Sequence, residues 1–234
     1  MRPKYRMTFT AATQPIREAV TKFGGQPTWL SEPQWPLSRM YATPMTFVCQ
    51  VALAPEVFGR QHAKMAYVFM TEYSGQDLYP ETWLPDAGEN AVLLQPGGWS
   101  APTVPLVEGP SLSKRVWRDS VPCEFAVHLE LGEDPDAFRV PEEAVELDEQ
   151  GDVVIRDEPA WSAYLRALFE PKIGGTPVPQ DMDYPPSPGP GSWQLLVQFA
   201  EQNVPFSINF GGDGVGYAFL SADGMTARFV HQRP

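Results

Sequence analysis

Apolar residues in this chain fall into short runs of strand length, punctuated by glycine and proline. Residues 45–53 form a nearly continuous apolar run, the pattern of a strand buried on both faces. Residues 64–73 predict a second strand, with Tyr67 and Phe69 on one face and Val68 and Met70 on the other. Between 123 and 131, Cys123, Phe125, Val127, Leu129 and Leu131 alternate with Glu124, Ala126, His128 and Glu130, as in a sheet with one wet face. Residues 91–95 add a further strand, and the turn residues of 148–152, between 144–147 and 153–156, read as a hairpin. The C-terminal part predicts a meander at 204–210, 216–221 and 225–232, turned by the glycines of 211–216 and by Asp223-Gly224.

Helical spacing occurs twice. Thr13 can cap a helix with Ile16, Val20 and Phe23 on one face and Gly24 at its end. Asp157 can cap another, with Pro159 in its first turn and Trp161, Leu165, Leu168 and Phe169 on one face. These elements recur in order. Gly24-Gly25 and Gly174-Gly175 lie 150 residues apart, Gln50 and Gln198 lie 148 apart, and Tyr67 and Tyr217 lie 150 apart. The loops after the Gly-Gly pairs match in length too, 16 residues at 28–43 and 15 at 178–192. The expected fold is therefore α+β, predominantly antiparallel β, in one domain over 1–234. Two pseudo-repeats of helix, Gly-Gly-x-Pro loop and strands, at about 10–75 and 157–234, pack into one body with a β-rich insertion at about 76–156 between them.

Composition agrees, because 26 prolines and 19 glycines in 234 residues favour strands and loops over helices. No apolar run approaches the ~18 residues of a membrane span, and the first residues lack the apolar stretch of a signal peptide, so a soluble, cytoplasmic protein is expected. Cys49 and Cys123 could form at most one bridge, which excludes a disulfide framework. The net charge is −12, and residues 130–158 hold twelve acidic residues against Arg139 and Arg156, leaving only −2 for the rest. Lys114, Arg115 and Arg118 are the nearest approach to a basic cluster, so nucleic acid is not an expected partner.

Gly-Gly-x-Pro-x-Trp at 24–29, Trp35-Pro36, the segment Pro44-Met-x-Phe-Val-x-Gln-Val-x-Leu53 and the C-terminal Gly-Asp-Gly-x-Gly-Tyr-x-Phe resemble the YwqG-like proteins of bacteria. The resemblance covers both ends of the chain and fades in the middle. It implies a duplicated β-rich architecture in a family of unknown function, and no catalytic residues. Some members carry a cysteine pair just after the Trp-Pro; here Leu37-Ser-Arg-Met40 stands there, so a metal site built on that pair is absent.

Candidate chemistry is sparse. The glycine loop at 211–216 is followed by a strand rather than a helix, which argues for a β-turn over a phosphate cradle. Gly24-Gly25 and Gly174-Gly175 read as helix stops. His62, His128 and His231 lack metal-ligand spacing, no Gly-x-Ser-x-Gly elbow occurs, and 148–152 does not fit a calcium loop. The sequence supplies no catalytic residue, metal or cofactor, and the reading leans away from an enzyme. Gln50 and Gln198 each end an apolar run and need buried partners, as clamps tying loop to strand or as ligand contacts. Trp29, Trp35, Tyr41 and Tyr184 either pack down over the core or line a groove.

A non-catalytic protein-binding module follows, of the immunity or antitoxin type, meeting a basic protein partner through the acidic stretch that holds Glu142, Glu143 and Glu146. One alternative is a small-molecule binder or enzyme using a cleft between the repeats, with Gln50, Gln198 and Asp213 as polar contacts. The other is a structural assembly subunit. The sequence does not fix an oligomeric state.

Overall fold

The computed structural model describes all residues except 74, 76–77, 98–101, 139–144, 148–152, 182–184 and 234, with the backbone alone at 145, 147 and 153. The chain opens with a ten-residue strand, β1 (Arg2–Ala11), in which Tyr5, Met7 and Phe9 alternate with Lys4, Arg6 and Thr8. Next come β2 (Lys22–Gly24), β3 (Trp35–Pro36), β4 (Thr46–Ala52), the one-turn helix α1 (Pro55–Phe58), β5 (Met65–Met70), β6 (Asn90–Gln95) and β7 (Thr103–Val104). A hairpin of β8 (Ser113–Val116) and β9 (Asp119–Pro122) precedes the long β10 (Glu124–Asp134). The second half holds β11 (Val145–Leu147), β12 (Val153–Ile155), α2 (Glu158–Phe169), β13 (Lys172–Gly174), β14 (Trp193–Ala200), β15 (Val215–Ser221) and β16 (Ala227–Gln232).

Ten strands form one antiparallel sheet in the order β16-β15-β14-β13-β1-β10-β2-β4-β5-β6. At its centre β1 and β10 pair over ten residues, from Arg2 opposite Asp134 to Ala11 opposite Phe125. β1 pairs on its other side with β13, from late in the chain, and β10 pairs with β2, from early in it. The sheet curls until its edge strands β6 and β16 approach each other, giving a near-barrel. The seam is tied by Thr82 Oγ1 and His231 Nε2 at 3.0 Å and by Arg228 and Asp86 at 3.2 Å. Bringing the edges together leaves fewer unpaired backbone groups to recruit other chains.

The curl encloses a core to which both ends of the sheet contribute, including Phe23, Val51, Val68, Val197, Phe199 and Phe229. Each outer face carries a smaller cluster. Trp35, Phe47, Tyr67, Phe69 and Leu93 are covered by the 26–45 loop through Trp29 and Trp35. Leu195, Val215, Tyr217 and Phe219 are covered by α2 through Tyr164 and Leu168. Asp157 caps α2 by accepting from Ala160 N at 3.0 Å, and Tyr164 and Leu168 fall one turn apart on its buried face. Burying a leucine such as Leu168 contributes about 2 kcal/mol.

The strands predicted at 45–53, 64–73 and 91–95 and the helix after Asp157 form, and the strands either side of 148–152 pair antiparallel, while the turn at 148–152 itself lies outside the described residues. Four expectations do not hold. Residues 13–23 are not helical; Phe23 instead lies in β2, opposite Cys49 and Phe125. The first glycine of each Gly-Gly pair therefore ends a strand, and the pairs are not helix stops. Residues 204–210 form no strand; Ser207 makes a single bridge to Ser113 while Phe206 and Phe210 enter the core. Strands β6 and β10, read as part of the insertion, are integral to the sheet. The alternation in β10 also stops being followed by burial midway: Cys123 and Phe125 are buried, but Leu129 and Leu131 are 41% and 60% exposed.

Candidate ligand-binding cleft

Both Gly-Gly pairs solve one local problem. Gly25 and Gly175 have positive φ, 64° and 73°, and a Cβ on either would overlap a carboxylate, that of Glu124 or of Asp134. Two residues before each pair stands a buried lysine. Lys22 Nζ donates to Glu124 Oε1 at 2.6 Å and to the Ile16 carbonyl at 2.7 Å. Lys172 Nζ donates to Asp134 Oδ2 and to the Thr176 carbonyl, both at 2.6 Å. Asp134 also accepts from Lys4 at 2.8 Å, and Lys4 pairs with Glu170. Burial pulls the Lys172 ammonium down to about 8 against the attraction of Asp134. Burial would raise the Asp134 carboxyl, but Lys172, Lys4 and the Thr176 N–H together hold it below its ordinary value.

The glutamines act as clamps. Gln50 Oε1 accepts from Thr28 N at 2.8 Å, Gln50 Nε2 donates to Val20 O at 2.8 Å, and the Tyr67 hydroxyl donates to Thr28 O at 2.8 Å. In the other half Gln198 Oε1 accepts from Val178 N at 3.0 Å, Gln198 Nε2 donates to Leu168 O at 2.9 Å, and the Tyr217 hydroxyl donates to Val178 O at 2.7 Å. A further pair does the same at the strand ends, where Gln95 Oε1 accepts from Leu30 N at 2.9 Å and Gln232 Oε1 from Gln180 N at 3.0 Å. Buried amides thus satisfy loop backbone that would otherwise lose its hydrogen bonds. Neither Gln50 nor Gln198 has any exposed surface.

The remaining sequence candidates are dispersed. Trp35 is fully buried and donates through Nε1 to Met45 O at 2.7 Å, while half-buried Trp29 donates to Val107 O at 3.1 Å, so both pack down. Tyr41 donates to Leu78 O at 3.1 Å. Asp213 is exposed, and its carbonyl accepts from Gln180 at 2.8 Å. Glu142, Glu143 and Tyr184 lie outside the described residues, and Glu146 pairs with Arg156 on the β11–β12 ribbon. Elsewhere in the acidic stretch Glu130 pairs with Arg6, Asp134 with two lysines, and Asp157 caps α2.

What the fold does assemble is a cleft of about 1080 Å³ at one end of the curled sheet. It is lined from β4 and the end of β5, residues 71–73 and 79–83, the β8–β9 hairpin, the 207–211 loop and the C-terminal end of β16. Val48, Met70, Leu112, Ile208 and Phe210 supply apolar surface, and Tyr73, Tyr79 and Trp83 supply aromatic surface. Tyr73 and Tyr79 stack with centroids 4.1 Å apart. Arg115, Arg118 and Arg233 line the same cleft, and among the described residues none of them makes a salt bridge. Against them stand Glu72 and Asp119. Burial raises the Glu72 carboxyl despite its bond from Thr46, so the acid is drawn toward its neutral form. Burial, aided by the charge of Arg233, lowers His231 to about 4, so the imidazole is neutral at pH 7.

A second hollow of about 470 Å³, which Tyr41 lines, shares Thr46, Thr71 and Glu72 with the first. Among the described residues no group of histidine, cysteine and carboxylate side chains could hold a metal ion. Both cysteines are free and buried, and burial raises both thiols. No helix among the described residues is long and apolar enough to cross a membrane. No family model matches the chain, and no curated protein matches it significantly.

Arg115 and Arg118 stood out in the sequence only as a weak basic cluster. Their partners in the cleft come from segments up to 118 residues away along the chain, at Arg233, a grouping that no local spacing encodes.

Proposed function

We propose that this protein binds a small anionic molecule in the cleft. The observation that carries the reading is three arginines without a salt bridge among the described residues, lining one large, partly apolar hollow in a chain whose net charge is −12. Arginine side chains left without carboxylates offer charge-assisted donors to phosphate or carboxylate, and apolar walls strengthen such bonds by excluding water. This takes up the cleft alternative from the sequence and moves its polar contacts from Gln50, Gln198 and Asp213 to Arg115, Arg118 and Arg233. The acidic-segment reading has less support, since several of its described carboxylates are already engaged within the chain.

The test is thermal unfolding in pyrophosphate and in citrate, for the wild type and for the triple variant Arg115→Gln/Arg118→Gln/Arg233→Gln. A ligand at a hundred times its Kd adds about 2.7 kcal/mol to stability. A rise in Tm that the triple variant loses supports the proposal. No rise with either anion, or an equal rise in the variant, overturns it.

We also infer that the fold is two related units, each of Gly-Gly turn, clamped loop and antiparallel strands, which exchange β1 and β10. The matched bonds of Gln50 with Tyr67 and of Gln198 with Tyr217 support this. The YwqG-like resemblance rests on the residues that build these turns and clamps, and we propose membership of that family on the same basis.

A further inference from the structure

Resting on the reading of the cleft as an anion site, we propose that its ligand is a nucleotide, a flat heteroaromatic ring joined to a phosphate. The arginines account for the anion but not for the rest of the lining. Tyr73, Tyr79 and Trp83 are 40%, 65% and 43% exposed, although large aromatic side chains are usually driven into the core. All three line the hollow that holds Arg115, Arg118 and Arg233. Tyr73 and Tyr79 lie nearly parallel, 15° apart, so the pair is a flat double platform rather than an edge-on contact.

A planar base stacks on such a face whatever its edge pattern, while a guanidinium fork receives the phosphate. An aliphatic acid would use the arginines and leave the platform idle. A free phosphate or a dicarboxylate would do the same. The hollow, at about 1080 Å³, has room for base, sugar and phosphate together. Neutral His231 adds a hydrogen-bonding group to the lining without opposing the anion's charge.

Calorimetric titration of the full chain with AMP, ribose 5-phosphate and adenosine separates the two halves of the ligand. AMP should bind at least about tenfold tighter than either fragment, the factor that one stacked base contributes. Tyr79→Ala should bring AMP close to ribose 5-phosphate while leaving ribose 5-phosphate unchanged. Arg118→Gln should weaken both by about tenfold. Both side chains are largely exposed, so the fold should tolerate the changes, and quenching of Trp83 fluorescence, absent in Trp83→Leu, gives a second measure. AMP binding no tighter than ribose 5-phosphate, or unaffected by Tyr79→Ala, overturns the proposal. If pyrophosphate or citrate still binds through the arginines in that case, the anion site stands and only its nucleotide assignment fails. A short single-stranded oligonucleotide binding more tightly than AMP would also overturn it, in favour of a nucleic-acid end.

Discussion

The turn at Lys22 and the turn at Lys172 share their backbone and differ in their charge. Each places a buried lysine two residues before a Gly-Gly pair, and each lays the second glycine against a carboxylate of β10. At the first turn Glu124 lies directly opposite Gly24, and one lysine meets one carboxylate. At the second the residue opposite Gly174 is Lys4, a further cation. Asp134, one strand further on, must then answer two lysines, and Glu170 is drawn in to balance the group. The two turns match in shape and differ in electrostatics. A turn that needs glycine has few backbone solutions, whereas a buried charge can be balanced from any neighbouring strand that reaches it.

The pairing of β13 with β1 predicts the largest effect. A fragment of residues 155–234 keeps β13 but loses β1, its partner, so it should show no cooperative unfolding by circular dichroism; a stably folded fragment would mean the halves are independent. Next comes charge. Asp134→Ala leaves Lys172 and Lys4 without their shared carboxylate and should cost about 3–5 kcal/mol in urea denaturation. Glu124→Ala strands one lysine at a site where the carboxylate is 13% exposed, and should cost less, about 2 kcal/mol. Equal losses would erase the distinction between the turns.

The clamps should show the likeness instead. Gln50→Leu and Gln198→Leu each leave a loop N–H without its acceptor and should cost about 1–3 kcal/mol apiece, alike to within the error of the measurement. A large loss in only one would mean that the second clamp is incidental.

A smaller effect concerns acid. Because Asp134 is held below its ordinary value of 3.8, the unfolded chain binds the proton first as pH falls. Its stabilisation is therefore complete above that value and lost as pH drops through the folded one. Asp134→Asn, less stable at neutral pH, should show a shallower loss below pH 3.8 than wild type; parallel curves would remove Asp134 from the acid response. Smallest of all, Arg115→Gln and Arg118→Gln should change stability by less than about 0.5 kcal/mol, since neither makes a salt bridge among the described residues and both are exposed. Larger losses would make the cleft arginines structural, like the lysines of the turns.

Much of this was legible in the chain. Residues 46–51 and 65–70 are buried along their length, as their nearly continuous apolar runs require. The Asp157 cap and the helical spacing of Trp161, Leu165, Leu168 and Phe169 located α2, though the structure buries Tyr164 with Leu168 on its inner face. The 150-residue recurrence located both Gly-Gly turns, and the glutamines were readable as clamps because an amide at the end of an apolar run must find partners. Local pattern states which residues seek burial. It does not state against what, and there the tertiary structure decided. Ile16, Val20 and Phe23 have helical spacing, yet pairing of β2 with β10 and β4 takes Phe23 into the sheet and brings Lys22 to Glu124, about a hundred residues away. Leu129 and Leu131 continue a strand's alternation beyond the reach of the core that buries Phe125. The three arginines line one cleft because the β8–β9 hairpin bridges to Ser207 and Arg233 packs against Gly211, contacts between segments far apart in the chain. Backbone pairing between distant strands, worth more together than any one segment's own preference, sets those meetings, and no short window of sequence contains them.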